Sequence, residues 1–154
     1  MRSIGLVLVG LMMVAMAPFA ATQPDDPDAA PAGTPRFAFL DVYVDAGDAS
    51  VAAYQLELVA TAGDVTIVGI EGGEHAAFAE PPYYDPEALK DSERVIIGAF
   101  DTGDDLPHGR TRVARVHVRI AGPAPEYELS LTVAADADGA EIDADATLVE
   151  GSAE

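Results

Sequence analysis

Residues 51–73 read VAAYQLELVATAGDVTIVGIEGG, and this stretch decides the fold. Apolar and polar side chains alternate in its first half, so that Leu56 and Leu58 share one face. A period of two is typical of a half-buried β-strand, because successive side chains point to opposite faces. Residues 62–64 (Ala-Gly-Asp) interrupt the alternation, which resumes over 65–70. The stretch therefore predicts two strands joined by a tight turn.

Similar segments lie on both sides of this stretch. Strands are expected at 37–46, 94–101, 111–121, 126–133 and 142–148. Residues 94–101 (RVIIGAFD) are apolar on both faces, which is typical of a central strand. Gly122–Pro125 and Asp138-Gly139 carry turn residues and are expected to turn the chain. Seven or eight short strands without a long helix predict an all-β fold, a single jelly-roll-like β-sandwich of about eight strands.

The first 35 residues have a different composition. A positive residue, an apolar run and small residues follow one another over 1–21, in the order of a secretory signal peptide. The run is also about long enough to span a bilayer as an uncleaved anchor, but the early Pro18 favours cleavage, after which no stable membrane insertion is expected. Residues 22–35 are rich in Pro, Ala and Asp and predict a disordered linker. The domain is expected at 36–151, in a secreted or periplasmic protein.

The composition restricts the classes of partner. The chain of 154 residues carries 27 acidic and 8 basic residues, which gives a formal net charge of −19. Such a surface repels nucleic acid and anionic lipid, so neither is an expected partner. There is no cysteine, so the fold cannot depend on disulfides.

The order of strands and turns resembles the cohesin-like modules of bacterial secreted proteins. The resemblance rests on Ala52–Leu58 (AAYQLEL), a Val-rich strand ending near Gly72, Gly109 before a long alternating strand, the Asp138-Gly139 turn, and the last strand, which ends at Gly151. It implies a jelly-roll-like sandwich that binds without catalysis, on an exported protein, with a dockerin-like protein as a possible partner. In the family, Tyr-Asp-Pro follows the Ala-Ala-aromatic strand directly. Here Tyr84-Asp85-Pro86 comes later, so the dockerin-binding role is not carried onto named residues.

Two irregular segments, 75–93 and 102–109, are the expected interaction surface, since loops on a rigid scaffold carry variable contacts. Asp85 before Pro86 predicts a capped helical turn. The candidate partner-binding residues are Tyr83, Tyr84, Asp85, His108, Arg115 and Arg119. Tyr83, Tyr84 and Asp85 could form a sugar-binding patch, or one tyrosine could cover the edge of the sandwich instead.

Arg115 and Arg119 belong to a basic stripe with His117 on one strand face. The stripe could bind an anionic partner or an acidic glycan. The favoured alternative is a cross-strand ion ladder, with Arg119 opposite Glu128 and His117 opposite Ser130 if residues 122–125 form a hairpin turn.

Catalytic and metal-binding patterns are weak. The acidic residues around Asp138-Gly139 do not match a calcium loop, because Ala134 stands where the first ligand belongs. No serine lies in a nucleophile elbow, and the three histidines lack metal-ligand spacing. We therefore expect no enzyme and no cofactor, although loosely bound calcium is not excluded. The sequence predicts a non-catalytic, exported protein-interaction module, with a small carbohydrate-binding module, taking a polysaccharide, as the alternative.

Overall fold

The computed structural model describes residues 34–90 and 93–152. The expected signal peptide (1–21) and most of the expected linker (22–35) lie outside these residues. The strands are β1 (Arg36–Asp45), β2 (Ala53–Gly72), β3 (Tyr83–Tyr84), β4 (Arg94–Phe100), β5 (Arg110–Ala135) and β6 (Asp145–Ser152). Two 3₁₀ turns span Ala76–Phe78 and Pro86–Leu89. The strands form one antiparallel sheet in the order β3-β4-β2-β5-β1-β6.

The sheet folds over on itself into two layers, because β2 and β5 contribute to both. In the β4 layer, residues 53–62 of β2 lie between β4 and residues 126–135 of β5. In the β1 layer, residues 64–72 of β2 pair with residues 114–121 of β5, which in turn pair with β1, and β6 lies beyond β1. Six strands therefore supply eight strand segments, and the all-β sandwich expected from the sequence is confirmed.

The two layers bury one apolar core between them. The inward faces expected for β1, for the first half of β2 and for the first half of β5 are all buried, as Leu40, Leu56 and Val116 illustrate. Tyr54 shows that the layers face each other. Its strand neighbours are Ala99 and Ala134, yet its hydroxyl donates a hydrogen bond of 3.1 Å across the core to the Val113 carbonyl.

Two of the expected turns are bends within continuous strands. Residues 62–64 and 122–125 carry left-handed glycines, with φ of 89° at Gly63 and 82° at Gly122, but β2 and β5 continue past them. Gly63 lies against Pro125, so the two bends coincide where the sheet passes from one layer to the other. A hairpin at either place was therefore a wrong prediction. The Asp138-Gly139 turn is confirmed, since the Gly139 N–H donates to the Asp136 carbonyl at 3.0 Å.

β4 departs from the expectation of a strand that is buried on both faces. Val95 and Ile97 point into the core, whereas Ile96 and Phe100 are exposed on the outer face. β4 pairs with β2 along its whole length, but β3 pairs only with Ile97 and Gly98 on its other side. Its apolar outer face is thus left to solvent.

The first 3₁₀ turn closes one end of the sandwich. It buries Phe78, whose ring makes an edge-on contact with Tyr54 at a centroid distance of 5.1 Å. The Gly73 N–H donates to the Phe78 carbonyl at 2.6 Å, which holds the turn against the end of β2.

Replacing Gly72 with alanine should destabilise the fold by about 1 to 3 kcal/mol, as overpacking of a tight site generally does. A Cβ at Gly72 would overlap the backbone carbonyl of Ala79, which cannot move without shifting the turn that buries Phe78. Gly69→Ala is the matched control on the same strand, since a Cβ there meets only the Cβ of His117, at 4.0 Å. Urea unfolding of both variants measures the difference, and equal losses would contradict this account of Gly72.

Candidate interaction surfaces

The outer face of the β4 layer carries several exposed apolar residues, which we call the aromatic patch and define as Tyr83, Ile96, Phe100 and Val133, with Gln55 between Val133 and β4. Tyr83 is 74% exposed and Phe100 is 65% exposed. Their rings stack with centroids 6.2 Å apart and an angle of 15° between the planes. Ile96 and Val133 are also exposed on this face. Single exposed apolar residues are common on proteins, but neighbouring ones on one rigid face indicate a binding surface.

The local backbone explains how Tyr83 reaches Phe100. Tyr83 pairs with Gly98, which has no side chain to occupy the space between the two rings. The next residue, Tyr84, points the other way and packs against the core. The structure therefore separates the two tyrosines: Tyr84 covers the core, as the alternative interpretation held, and Tyr83 faces solvent.

Asp85 follows β3 and caps the second 3₁₀ turn. Its Oδ1 accepts a hydrogen bond of 3.0 Å from the Glu87 N–H, and Pro86 follows as the first residue of the turn, which confirms the predicted cap. A groove of about 590 Å³ lies between this turn and β4. Tyr83, Asp85 and Ile96 all line it, so the structure brings Tyr83 and Asp85 together at one edge of the aromatic patch.

The basic stripe lies on the outer face of the β1 layer. Arg115 forms a bidentate ion pair with Asp41, at 2.7 and 2.8 Å, and its guanidinium lies 4.0 Å from the centre of the Phe39 ring. The Arg112 guanidinium adds a longer contact of 3.7 Å to Asp41. The hydrogen bonds from Arg115 hold the pKa of the Asp41 carboxyl below its usual value, and they raise the pKa of Arg115.

The ion pairs differ from those expected from the sequence. Arg119 lies beside Phe37 and Thr66, not Glu128, and His117 pairs with Glu71 at 2.9 Å, not with Ser130. The expected register was wrong because residues 122–125 bend β5 into the other layer. Arg115 does form a cross-strand ion pair with Asp41 of β1, and His117 forms a cross-strand hydrogen bond with Glu71 of β2.

The two remaining candidate residues lie apart from the aromatic patch. Arg119 is half-buried beside a polar depression that Asp64 and Glu93 also line, and no described carboxylate pairs with it. His108 is exposed in the loop before β5, and its carbonyl accepts a hydrogen bond from the Thr111 hydroxyl at 3.5 Å. The binding roles of Arg115, Arg119 and His108 stay predictions.

In the acidic turn around Asp138-Gly139, the carboxylate of Asp136 is hydrogen-bonded to the backbone of the turn itself. Asp136 Oδ1 accepts hydrogen bonds from the backbone N–H groups of Asp138 and Ala140, at 3.0 and 2.9 Å. Within residues 34–90 and 93–152, no group of three or more His, Asp or Glu side chains is placed to hold a metal ion. In the same part of the chain, no helix is long and apolar enough to cross a membrane.

Of the aromatic patch, the sequence singled out only Tyr83 and missed its stacking partner, Phe100. It lies at the end of a segment that is apolar on both faces, which favoured burial. A usable signal was present, since Ile96 and Phe100 fall on the same face of β4 with a glycine between them. Because this glycine has no side chain, it covers neither of the two apolar side chains beside it on that face.

The comparisons with known proteins bear on the fold. No family model and no curated protein matches the sequence. Among solved structures, a non-cellulosomal cohesin from the hyperthermophilic archaeon Archaeoglobus fulgidus matches with 15% sequence identity and a TM-score of 0.50, over 73% of this chain and 80% of that chain. The fold is cohesin-like. The resemblance seen in the sequence is thereby confirmed for the cohesin-like sandwich, and at this identity the likeness concerns the fold alone.

Proposed function

We propose that this cohesin-like domain is a non-catalytic protein-interaction module and that the aromatic patch is its docking surface. The stacked pair of Tyr83 and Phe100 is the observation that supports this function most strongly. Aromatic residues near the centre of an interface contribute a large share of binding energy, because they bury much apolar area with few rotatable bonds. A stacked pair that is exposed in the free protein is an anchor of this kind.

The surface around the pair is preorganised, which favours binding. β4 is hydrogen-bonded to β2 along its length, and Val95 and Ile97 on its inner face pack into the core. The Tyr83 backbone is paired to Gly98, so neither ring depends on a mobile loop for its position. A rigid surface loses little conformational entropy when a partner binds.

The partner class and the location belong to the same proposal. A dockerin-like protein is the partner that the cohesin-like fold favours, and no cofactor is required for binding of this type. Residues 1–21 have the order of a signal peptide, which supports export to the periplasm or the outside of the cell.

The test is affinity capture from cells and culture medium of the source organism, followed by binding measurements with each captured protein in purified form. Tyr83→Ala/Phe100→Ala should weaken the purified complex by at least about 30-fold, the loss expected when an interface anchor worth about 2 kcal/mol is removed. Phe37→Ala is the matched control, because Phe37 is an aromatic residue, 59% exposed, on the outer face of the other layer. The proposal is wrong if the double variant binds as tightly as the wild type, or if no reproducible partner is captured.

A small carbohydrate-binding module is the second candidate. The observation that favours it is the groove in which Tyr83 lies beside the Asp85 carboxylate, since sugars are often held between an aromatic face and a carboxylate. A glycan array should then give a signal that Tyr83→Ala removes and Phe37→Ala retains. The absence of any polysaccharide signal from the wild-type protein would rule this candidate out.

A further inference from the structure

Charge is distributed unevenly between the two layers of the sandwich. Among the described residues, the arginines of the β1 layer are Arg36, Arg110, Arg112, Arg115 and Arg119. The β4 layer and the loops that border it contain only Lys90 and Arg94 as described lysines and arginines. The β4 layer therefore carries fewer described cations than the β1 layer, in a chain whose formal net charge is −19.

The two cations on this side are already engaged by neighbouring carboxylates. Lys90 pairs with Glu87 of the second 3₁₀ turn at 2.6 Å. Arg94, at the start of β4, pairs with Glu57 on β2. Neither cation is left to attract an anionic partner.

Two exposed carboxylates in or beside the β4 layer have no described cation as a partner. Asp85 lies in the groove beside Tyr83 and accepts a hydrogen bond only through its capping oxygen. Glu128 is exposed on β5, where it pairs in register with Val59, whose other neighbour is Arg94. Asp85 thus places a negative charge at the edge of the aromatic patch, and Glu128 adds a second one farther along the same outer face.

From this arrangement we propose that the partner is a cationic protein surface, with lysine or arginine side chains placed around an apolar knob. The inference rests on the proposed docking function of the aromatic patch and names the chemistry of its partner. Apolar contact with Tyr83 and Phe100 supplies affinity, and the carboxylates select for positive charge. An anionic partner, including an acidic polysaccharide, is repelled from this face.

The same charges also determine the rate at which the complex forms. Complementary fields raise the rate of association more than they slow dissociation, and salt screens the effect over about 8 to 10 Å at physiological ionic strength. Association should therefore slow markedly as the salt concentration rises, whereas dissociation should change little.

A peptide library of random 12-residue sequences displayed on phage provides a defined probe. The library is selected on the immobilised full chain at low salt and depleted on Tyr83→Ala/Phe100→Ala, so that only ligands of the aromatic patch survive. The expected survivors combine aromatic or aliphatic residues with a net positive charge. Neutral or acidic survivors would overturn the cationic partner and leave the docking surface standing, whereas no survivors would count against the docking surface itself.

The residues themselves are tested with one surviving peptide and a pair of charge-matched variants. Asp85→Asn/Glu128→Gln removes these two charges, and asparagine at position 85 keeps an N-cap acceptor for the 3₁₀ turn. Asp143→Asn/Asp145→Asn removes the same number of charges just before and at the start of β6, in the other layer. The first variant should slow association roughly threefold to tenfold at low salt, and the second should leave it near the wild-type value. Equal effects of the two variants would show that net charge alone governs binding and would overturn the local role of Asp85 and Glu128.

Discussion

Replacing Leu56 with alanine should lower the free energy of unfolding by about 2 to 5 kcal/mol, the range measured for buried leucines. Leu56 has no exposed surface and lies between Ile97 of β4 and Leu131 of β5 in the β4 layer. The substitution removes apolar contacts and leaves a cavity, because the paired strands on both sides cannot collapse into the space.

Val68→Ala is the control for this change on the same strand. Val68 is one of the exposed large hydrophobic residues, so its truncation should cost well under about 1 kcal/mol. Urea denaturation of the two variants gives the comparison. A loss for Leu56→Ala as small as that for Val68→Ala would mean that the core does not lie where the structure places it.

The second large effect concerns Asp41 and depends on pH. Asp41 is only 8% exposed, and the hydrogen bonds from Arg115 are the main cause of its lowered pKa. A carboxyl whose pKa is lower in the folded state stabilises the protein at pH values above its unfolded pKa of about 3.9. That stabilisation is lost as the pH falls through the lowered pKa of the folded state.

Asp41→Asn should therefore cost about 1.5 to 3 kcal/mol at neutral pH, the usual contribution of hydrogen bonds to a charged group. The gap between the variant and the wild type should shrink as the pH falls from about 4 through the lowered pKa of folded Asp41, below which both side chains are uncharged. Denaturation curves at a series of pH values measure the gap, with Asp48→Asn at an exposed turn position as the control. A gap that stays constant down to acid pH would contradict the assignment to the Asp41–Arg115 pair.

For β1 and for the first halves of β2 and β5, the local sequence pattern was sufficient to predict the apolar face that is buried. Leu40, Leu56 and Val116 each belong to an alternation that the structure confirms, because a strand with one buried face must alternate whatever its partners are. The capped turn at Asp85 was predictable for the same reason. Its hydrogen bond joins residues two positions apart, so the signal is contained within the turn.

The pairing between strands could not be predicted in this way. Gly63 and Gly122 carry the backbone signal of a turn, and a sharp bend within a strand carries the same signal. The choice between a turn and a bend depends on contacts between distant segments, such as Gly63 against Pro125. For the same reason, the sequence predicted the wrong partner for Arg119 and did not predict that Phe100 is exposed. Both properties depend on which strand lies alongside.

The continuity of β2 and β5 through both layers has a consequence for how the protein folds. The two strands pair from Ala53 with Ala135 to Gly72 with Ala114, so their partners come from distant parts of the chain. Contacts of such high sequence separation make folding slow, since the loop must close before the contacts form. Because the same two strands hold both layers, neither layer can lose its pairing alone, and unfolding should be a single cooperative event without a half-folded sandwich.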